Sequence, residues 1–189
     1  TPFWKGFVWT PLSAARAGSL DDLPLPGPRW MRVKNLACGV CATDLSLLFV
    51  KADPSVAPAA LPGLQRFYLG HEAVSVVTET GPAVTRFHVG DRVIMENHFY
   101  GANCLNLELE PPCEMCVRGE TNFCLHKSDF PYLGAGGGFG DGYVTHETSV
   151  QLSPPELTLD QAVLVEPIGI GTHAVLRHPP EPGAKVLII

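Results

Sequence analysis

The 189 residues predict a mainly β fold with peripheral helices (α+β), its short strands gathered into a small barrel. Three observations carry that expectation. Eighteen prolines and nineteen glycines punctuate the chain, which favours short strands joined by turns over long helices. Apolar, β-branched stretches such as AVSVVTE are brief and bounded by Gly-Pro or Gly-Asp pairs, as strands are. Hydrophobic residues make up 46% and charged residues 17%, a composition that can bury a core.

The elements follow in order. Gly6–Trp9 reads as a first strand, and Pro24, Pro26 and Pro28 as a stiff connector. Met31–Ala37 alternates apolar and charged residues, the pattern of a half-buried strand. Thr43–Val50 reads as a short helix, with Thr43 or Asp44 able to cap its amides. Pro54–Gly63 is a Pro/Ala loop. Residues 73–79 form a strand ended by Gly81-Pro82, and Gly90-Asp91 turns the chain into the strand Arg92–Met95. Residues 97–132 are a long excursion carrying four cysteines. After the glycine-rich Gly134–Gly142, strand resumes over Tyr143–Val150. Thr158 is placed to cap a helix over Leu159–Val165, and Pro167 suits the first turn of another running to about Arg177. The final GAKVLII is a charged turn followed by an apolar run, as a buried parallel strand begins.

Charge and length exclude some functions. The net charge is −6 and no basic run exists, so a nucleic-acid surface is not expected. No uncharged apolar stretch reaches the roughly 20 residues a membrane span needs. The start, TPFWKGFVWT, lacks the layout of a signal peptide and does not begin with Met, which reads as a trimmed chain. The expected compartment is therefore the reducing cytoplasm, where clustered cysteines more often hold metal than form disulfides.

Cys113, Cys116 and Cys124 have the close spacing that lets thiolates converge on one tetrahedral zinc. Cys104 is the first candidate for a fourth ligand and Glu110 the second. Three unrelated buried thiols, or a disulfide pair, are the plainer alternatives. Four protein ligands would leave no place for substrate, so such a lobe is expected to be structural.

Cys41, His71 and Glu166 form a second, looser set, each at the edge of an element beside small or turn residues. A thiolate, an imidazole and a carboxylate with one open position would make a catalytic zinc shell. Spacing alone leaves other readings open: a buried core histidine, or a Cys38–Cys41 redox pair, which would need a thiol of low pKa.

LACGVCATDL, LGHEAVSVVTETGPAVTRFHVGDRV, CEMCVRGETNFC, LVEPIGIGTHAV and PGAKVLII, in this order, resemble the zinc-dependent medium-chain alcohol dehydrogenases. The resemblance runs from about Phe7 to the end and is closest to the polyol and threonine dehydrogenase branch. It implies a GroES-like β-barrel catalytic domain over residues 1–177, with a structural zinc lobe at about 97–132. Residues 178–189 would then be a linker and the first strand of a Rossmann cofactor domain. Cys41 and His71 match the family's catalytic zinc ligands. Glu72 matches a glutamate that can approach the metal, and Glu166 a direct ligand or a partner of the zinc-bound water. Asp44 matches the carboxylate that orients the zinc-binding histidine, and Thr43 the hydroxyl that passes the alcohol proton outward. The implied activity is oxidation of a secondary alcohol, polyol or amino alcohol, with zinc in both sites and NAD or NADP as hydride acceptor. The implied partners are a small alcohol and, for the full-length protein, further copies of itself, with no nucleic acid and no membrane.

The pattern departs from the family in places. Ser46 stands where the family often has a relay histidine, and Cys104 lies further from Cys113 than the usual interval. The loop GGGFGDGY is one residue longer than the family's, and Gly134–Gly142 matches no dinucleotide fingerprint. The chain ends before such a fingerprint would come, so the fragment alone is expected to be inactive. His98 and His173 read as surface or packing residues, and Trp4, Trp9 and Trp30 as ordinary aromatics. A non-catalytic, zinc-stabilised interaction module is the rival from another class. It would hold one zinc per chain where a dehydrogenase holds two.

Overall fold

The computed structural model describes residues 18–19, 24–49, 51, 68–96, 103–126 and 136–187. The expected strand Gly6–Trp9, the Pro54–Gly63 loop, His98, Trp4 and Trp9 lie outside the described residues. Five strands form one antiparallel sheet: β1 (Trp30–Gly39), β2 (Glu72–Thr80), β3 (Arg92–Met95), β4 (Gly142–His146) and β5 (Val150–Leu152), in the order β4-β1-β2-β3-β5.

The four-residue strand β3 coincides with the reading from its Gly-Asp turn. β1 and β2 each run longer than their alternation suggested, because they pair along nearly their whole length, from Met31 opposite Thr80 to Gly39 opposite Glu72. The expected single strand Tyr143–Val150 is instead two. The turn of 3₁₀ helix Glu147–Ser149 divides β4 from β5, since buried Glu147 turns away to bind Arg29.

That division shapes the sheet. β4 and β5 lie at opposite edges, yet only residues 147–149 join them. A flat five-stranded sheet would set its outer strands about 19 Å apart, whereas His146 to Val150 can span at most about 14 Å. The sheet must therefore roll, bringing its edges towards each other.

Met31, Val33, Ala73, Val77, Phe87, Val93, Tyr143 and Val150 bury together inside the roll. Val74 and Ile94 face the other way and are covered by Ala162 of helix α3 (Leu159–Val163), helped by Leu157, Leu159 and Val163. α3 begins where expected: Thr158 Oγ1 accepts from the Gln161 amide at 3.3 Å, and Gln161 Oε1 accepts from the Thr158 amide at 2.9 Å. This reciprocal cap satisfies amides that a helix start leaves open.

The other helices are α1 (Ala42–Leu48), α2 (Glu114–Val117) and α4 (Val165–Arg177). Pro167 lies in the first turn of α4, where its missing N–H costs nothing. Glu147 is the fold's chief buried charge. Its carboxylate accepts from Arg29 Nε at 2.7 Å and from the Thr85 and Arg86 amides at 3.0 and 3.1 Å. It thus ties the β4–β5 connection to the turn between β2 and β3. The tail up to Leu187 is exposed and carries no strand among the described residues, since a parallel strand needs a neighbouring strand to bond to.

Candidate functional site

The site is built from the ends of β1 and β2. Cys41 follows the last residues of β1 and stands at the N-cap of α1, while His71 immediately precedes β2 and Glu72 opens it. One sulfur, one imidazole nitrogen and one carboxylate oxygen from these three residues lie within 4.8 Å of one another. Zinc binds sulfur at about 2.3 Å and nitrogen or oxygen at about 2.0–2.2 Å, so the three atoms are within reach of one shared ion and leave a fourth position open.

Asp44 links the ligand-bearing segments. It is the third residue of α1, inside the helix; the residue before the helix is Cys41, not Thr43 or Asp44 as the sequence suggested. The start moved because the Asp44 side chain reaches back: Oδ2 accepts from the Cys41 amide at 3.0 Å. Its other oxygen accepts from the Gly70 amide at 2.9 Å and stands 3.5 Å from His71 Nδ1. A carboxylate against Nδ1 directs Nε2 towards a metal, the usual way to orient such an imidazole. Asp44 is fully buried. Thr43 places its hydroxyl 3.6 Å from Cys41 Sγ.

Two glycines make room. Gly39 sits opposite Glu72 in the β1–β2 pairing, and a side chain there would collide with the Glu72 carboxylate, which crosses over the strand at that point. Gly70, at φ +87°, packs so closely on the backbone of Phe139 that a Cβ would lie 2.6 Å from its amide nitrogen. A left-handed conformation and that contact both demand glycine. The sequence marked Gly70 only as the residue before His71, and Gly39 not at all.

Glu166 lies in the first turn of α4, half-buried and outside the group formed by Cys41, His71 and Glu72. Cys38 does not resemble a redox thiol. Burial pushes its pKa up to about 11, against the lowering effect of the Glu72 backbone, whereas a reactive dithiol needs a thiolate near neutral pH. All six cysteines are free thiols.

The second cluster gathers Cys104, Cys113, Cys116 and Cys124, with sulfurs within 4.8 Å of one another. Cys104 to Cys124 is 3.6 Å and Cys113 to Cys124 is 3.9 Å. Those gaps far exceed a disulfide bond and match the roughly 3.8 Å between thiolates on one tetrahedral zinc. Glu110 is exposed and outside the group. Burial raises the Cys104 thiol and pushes Cys116 up to about 12, while the Cys116 and Leu125 amides pull Cys113 down to about 6. Three of these cysteines are buried, and a cation among them would hold all four as thiolates. The lobe rests on the sheet through Trp30, whose indole donates to Asn106 O at 3.1 Å, and through Glu108, which accepts from the Arg29 amide at 3.0 Å. His173 is exposed on α4.

The glycine-rich loop binds the chain itself. Gly138 and Phe139 donate to the carbonyls of Gly70 and Leu69 at 2.8 and 3.2 Å, so the loop grips the segment that presents His71. None of the helices in the described residues is long and apolar enough to cross a membrane.

Known proteins resemble this chain in sequence and fold. The family model for the alcohol dehydrogenase GroES-like domain matches residues 27–155. The chain is 32% identical to (R,R)-butanediol dehydrogenase of Saccharomyces cerevisiae, over 80% of this chain and 42% of that protein. It is 30% identical to L-threonine 3-dehydrogenase of Pyrococcus furiosus, over 88% of this chain and 43% of that one. Among solved structures, an oxidoreductase/dehydrogenase of unknown specificity from Escherichia coli superposes with a TM-score of 0.63 at 25% identity, covering 87% of this chain and 44% of that one. The chain thus spans less than half the length of the relatives it matches. With its sheet-rich α+β fold and the match from Gly27 to Pro155, the chain belongs to the alcohol dehydrogenase family, whose GroES-like domain it carries.

Proposed function

We propose that this chain is the catalytic-domain portion of a zinc-dependent, NAD(P)-linked dehydrogenase acting on a secondary alcohol, polyol or amino alcohol. Residues 1–177 would form the GroES-like domain, with a structural zinc lobe at about 97–132. Residues 178–189 would lead into a Rossmann cofactor domain. The observation that carries the reading is the convergence of Cys41, His71 and Glu72, with one buried carboxylate, Asp44, contacting the segments of both Cys41 and His71. The diol and amino-alcohol substrates in the relatives' names support the substrate class.

Bound zinc supplies Lewis acidity and the nicotinamide ring the hydride acceptor. The chain's own part is holding and orientation. Cys41 and His71 would hold the ion, with Glu72, or Glu166 after a rearrangement, as the carboxylate ligand. Asp44 keeps the His71 ring turned so that Nε2 faces inward. The Thr43 hydroxyl, 3.6 Å from the Cys41 sulfur, stands where it can take the substrate hydroxyl proton and pass it outward. Cys104, Cys113, Cys116 and Cys124 would close a shell with no substrate position, so their ion would act on stability alone.

Metal stoichiometry tests the reading. Two zinc ions per chain are expected, with Cys41→Ser and Cys113→Ser each losing one independently. A single ion that survives Cys41→Ser would instead make the chain a zinc-stabilised module without a reaction centre.

A further inference from the structure

Asn35 meets Ser75, 40 residues on, and a glycine-rich loop 102–105 residues on. Asn35 belongs to β1, six residues before Cys41, and pairs with Ser75 of β2. The next pair is Ala37 with Val74, so Leu36 is an extra residue and β1 bulges there. Bulges re-aim strands beside active sites, and this one precedes the turn into Cys41. The two N–H groups of the Asn35 side chain are shared among three carbonyls of the glycine-rich loop: Gly137 at 2.9 Å, Gly138 at 3.2 Å and Gly140 at 2.8 Å. Its oxygen accepts from the Ser75 hydroxyl at 2.8 Å. The side chain's orientation follows from these contacts, because carbonyls can only accept.

The loop thus held is the one whose Gly138 and Phe139 amides donate to Gly70 and Leu69. Gly138 also lies against β1, since a side chain there would strike the Cys38 sulfur. One side chain on the Cys41-bearing strand therefore fixes the loop that fixes the His71-bearing segment. We infer that Asn35 is a positioning residue for the metal shell: it sets the separation of Cys41 and His71 through the glycine-rich loop, without touching either. The inference rests on reading Cys41, His71 and Glu72 as that shell.

The test uses the whole 189-residue chain with its cysteine lobe loaded with zinc. Cobalt(II) is titrated as the probe of the Cys41 shell, read from its thiolate absorption, with Cys41→Ser as the blank. A wild-type chain showing no such absorption refutes the shell itself, and the inference with it. Where wild type shows it, Asn35→Ala is expected to weaken cobalt binding about 10-fold, the lower end of what supporting residues contribute to metal sites. Ser75→Ala removes the hydroxyl's contacts to the Asn35 oxygen and, at 3.4 Å, to the Tyr143 hydroxyl, but leaves the Asn35 donors on the loop, and is expected to stay within about twofold of wild type, well short of that loss. Lobe zinc should be unchanged in both. Asn35→Leu keeps the bulk without adding a charge and loses the donors, so it reads the same loss should the alanine variant not fold. Two results overturn the assignment: cobalt affinity unaltered in Asn35→Ala, or a fall matched by Ser75→Ala or by loss of lobe zinc.

Discussion

Glu147 shows how one buried charge can organise distant backbone. Burial alone would raise its pKa, but the Thr85 and Arg86 amides and the Arg29 guanidinium more than reverse this and hold it below the usual carboxylate range. A depressed folded-state pKa stabilises the fold above the unfolded value of about 4.3. That contribution is lost as pH falls through the folded value, because the unfolded chain then binds the proton more readily. Glu147→Ala should lower stability at neutral pH by on the order of 3 kcal/mol, leaving two amides and a guanidinium without their acceptor. Denaturant titrations at pH 7 and pH 3 check this: the gap between variant and wild type should shrink at the lower pH. A constant gap would mean that packing, not charge, is what Glu147 contributes.

At the scale of elements, legibility in the sequence followed the range of the forces involved. β3 and the Thr158 cap were readable because a Gly-Asp turn and a Thr-x-x-Gln pattern act within a few residues. Cys41 and His71 were readable from motifs lying beside turns. The split between β4 and β5 was not, because YVTHETSV carries no turn residue and the groups that draw Glu147 aside, Arg29 and the Thr85 and Arg86 amides, lie 118, 62 and 61 residues away. Asn35 gave no local signal for the same reason; of the two glutamates the motifs offer as ligands, Glu72 is the one within 4.8 Å of Cys41 and His71. The cysteine lobe makes its own prediction. Its buried groups are mainly thiols and the paired Asn103 and Asn106, with little apolar core to hold it together. With the proposed zinc bound there, adding a chelator should open residues 103–126 to protease while the sheet stays intact, as judged by circular dichroism and the fragment pattern. Simultaneous loss of both would show that lobe and sheet unfold as one unit.

Across the whole molecule, apolar surface is unevenly distributed. The sheet buries its hydrophobic residues on both faces, yet α4 has no buried residue and exposes Ile168, Ile170, Val175 and Leu176, the last at 74%. Patches of this kind mark contact surfaces. Ile168→Lys combined with Leu176→Lys should reduce concentration-dependent association in sedimentation. Thermal stability should change little, since exposed positions shift it by about 0.5 kcal/mol or less. A large fall in melting temperature would show that α4 packs inward in solution.

The empty place at Gly39 has an implication for how the shell could vary. Because the Glu72 carboxylate lies in the volume that a β-carbon at position 39 would need, a side chain there would require the carboxylate to move. A single methyl there would evict the carboxylate from above the strand and hand the vacancy beside Cys41 and His71 to whatever else carries a suitable oxygen.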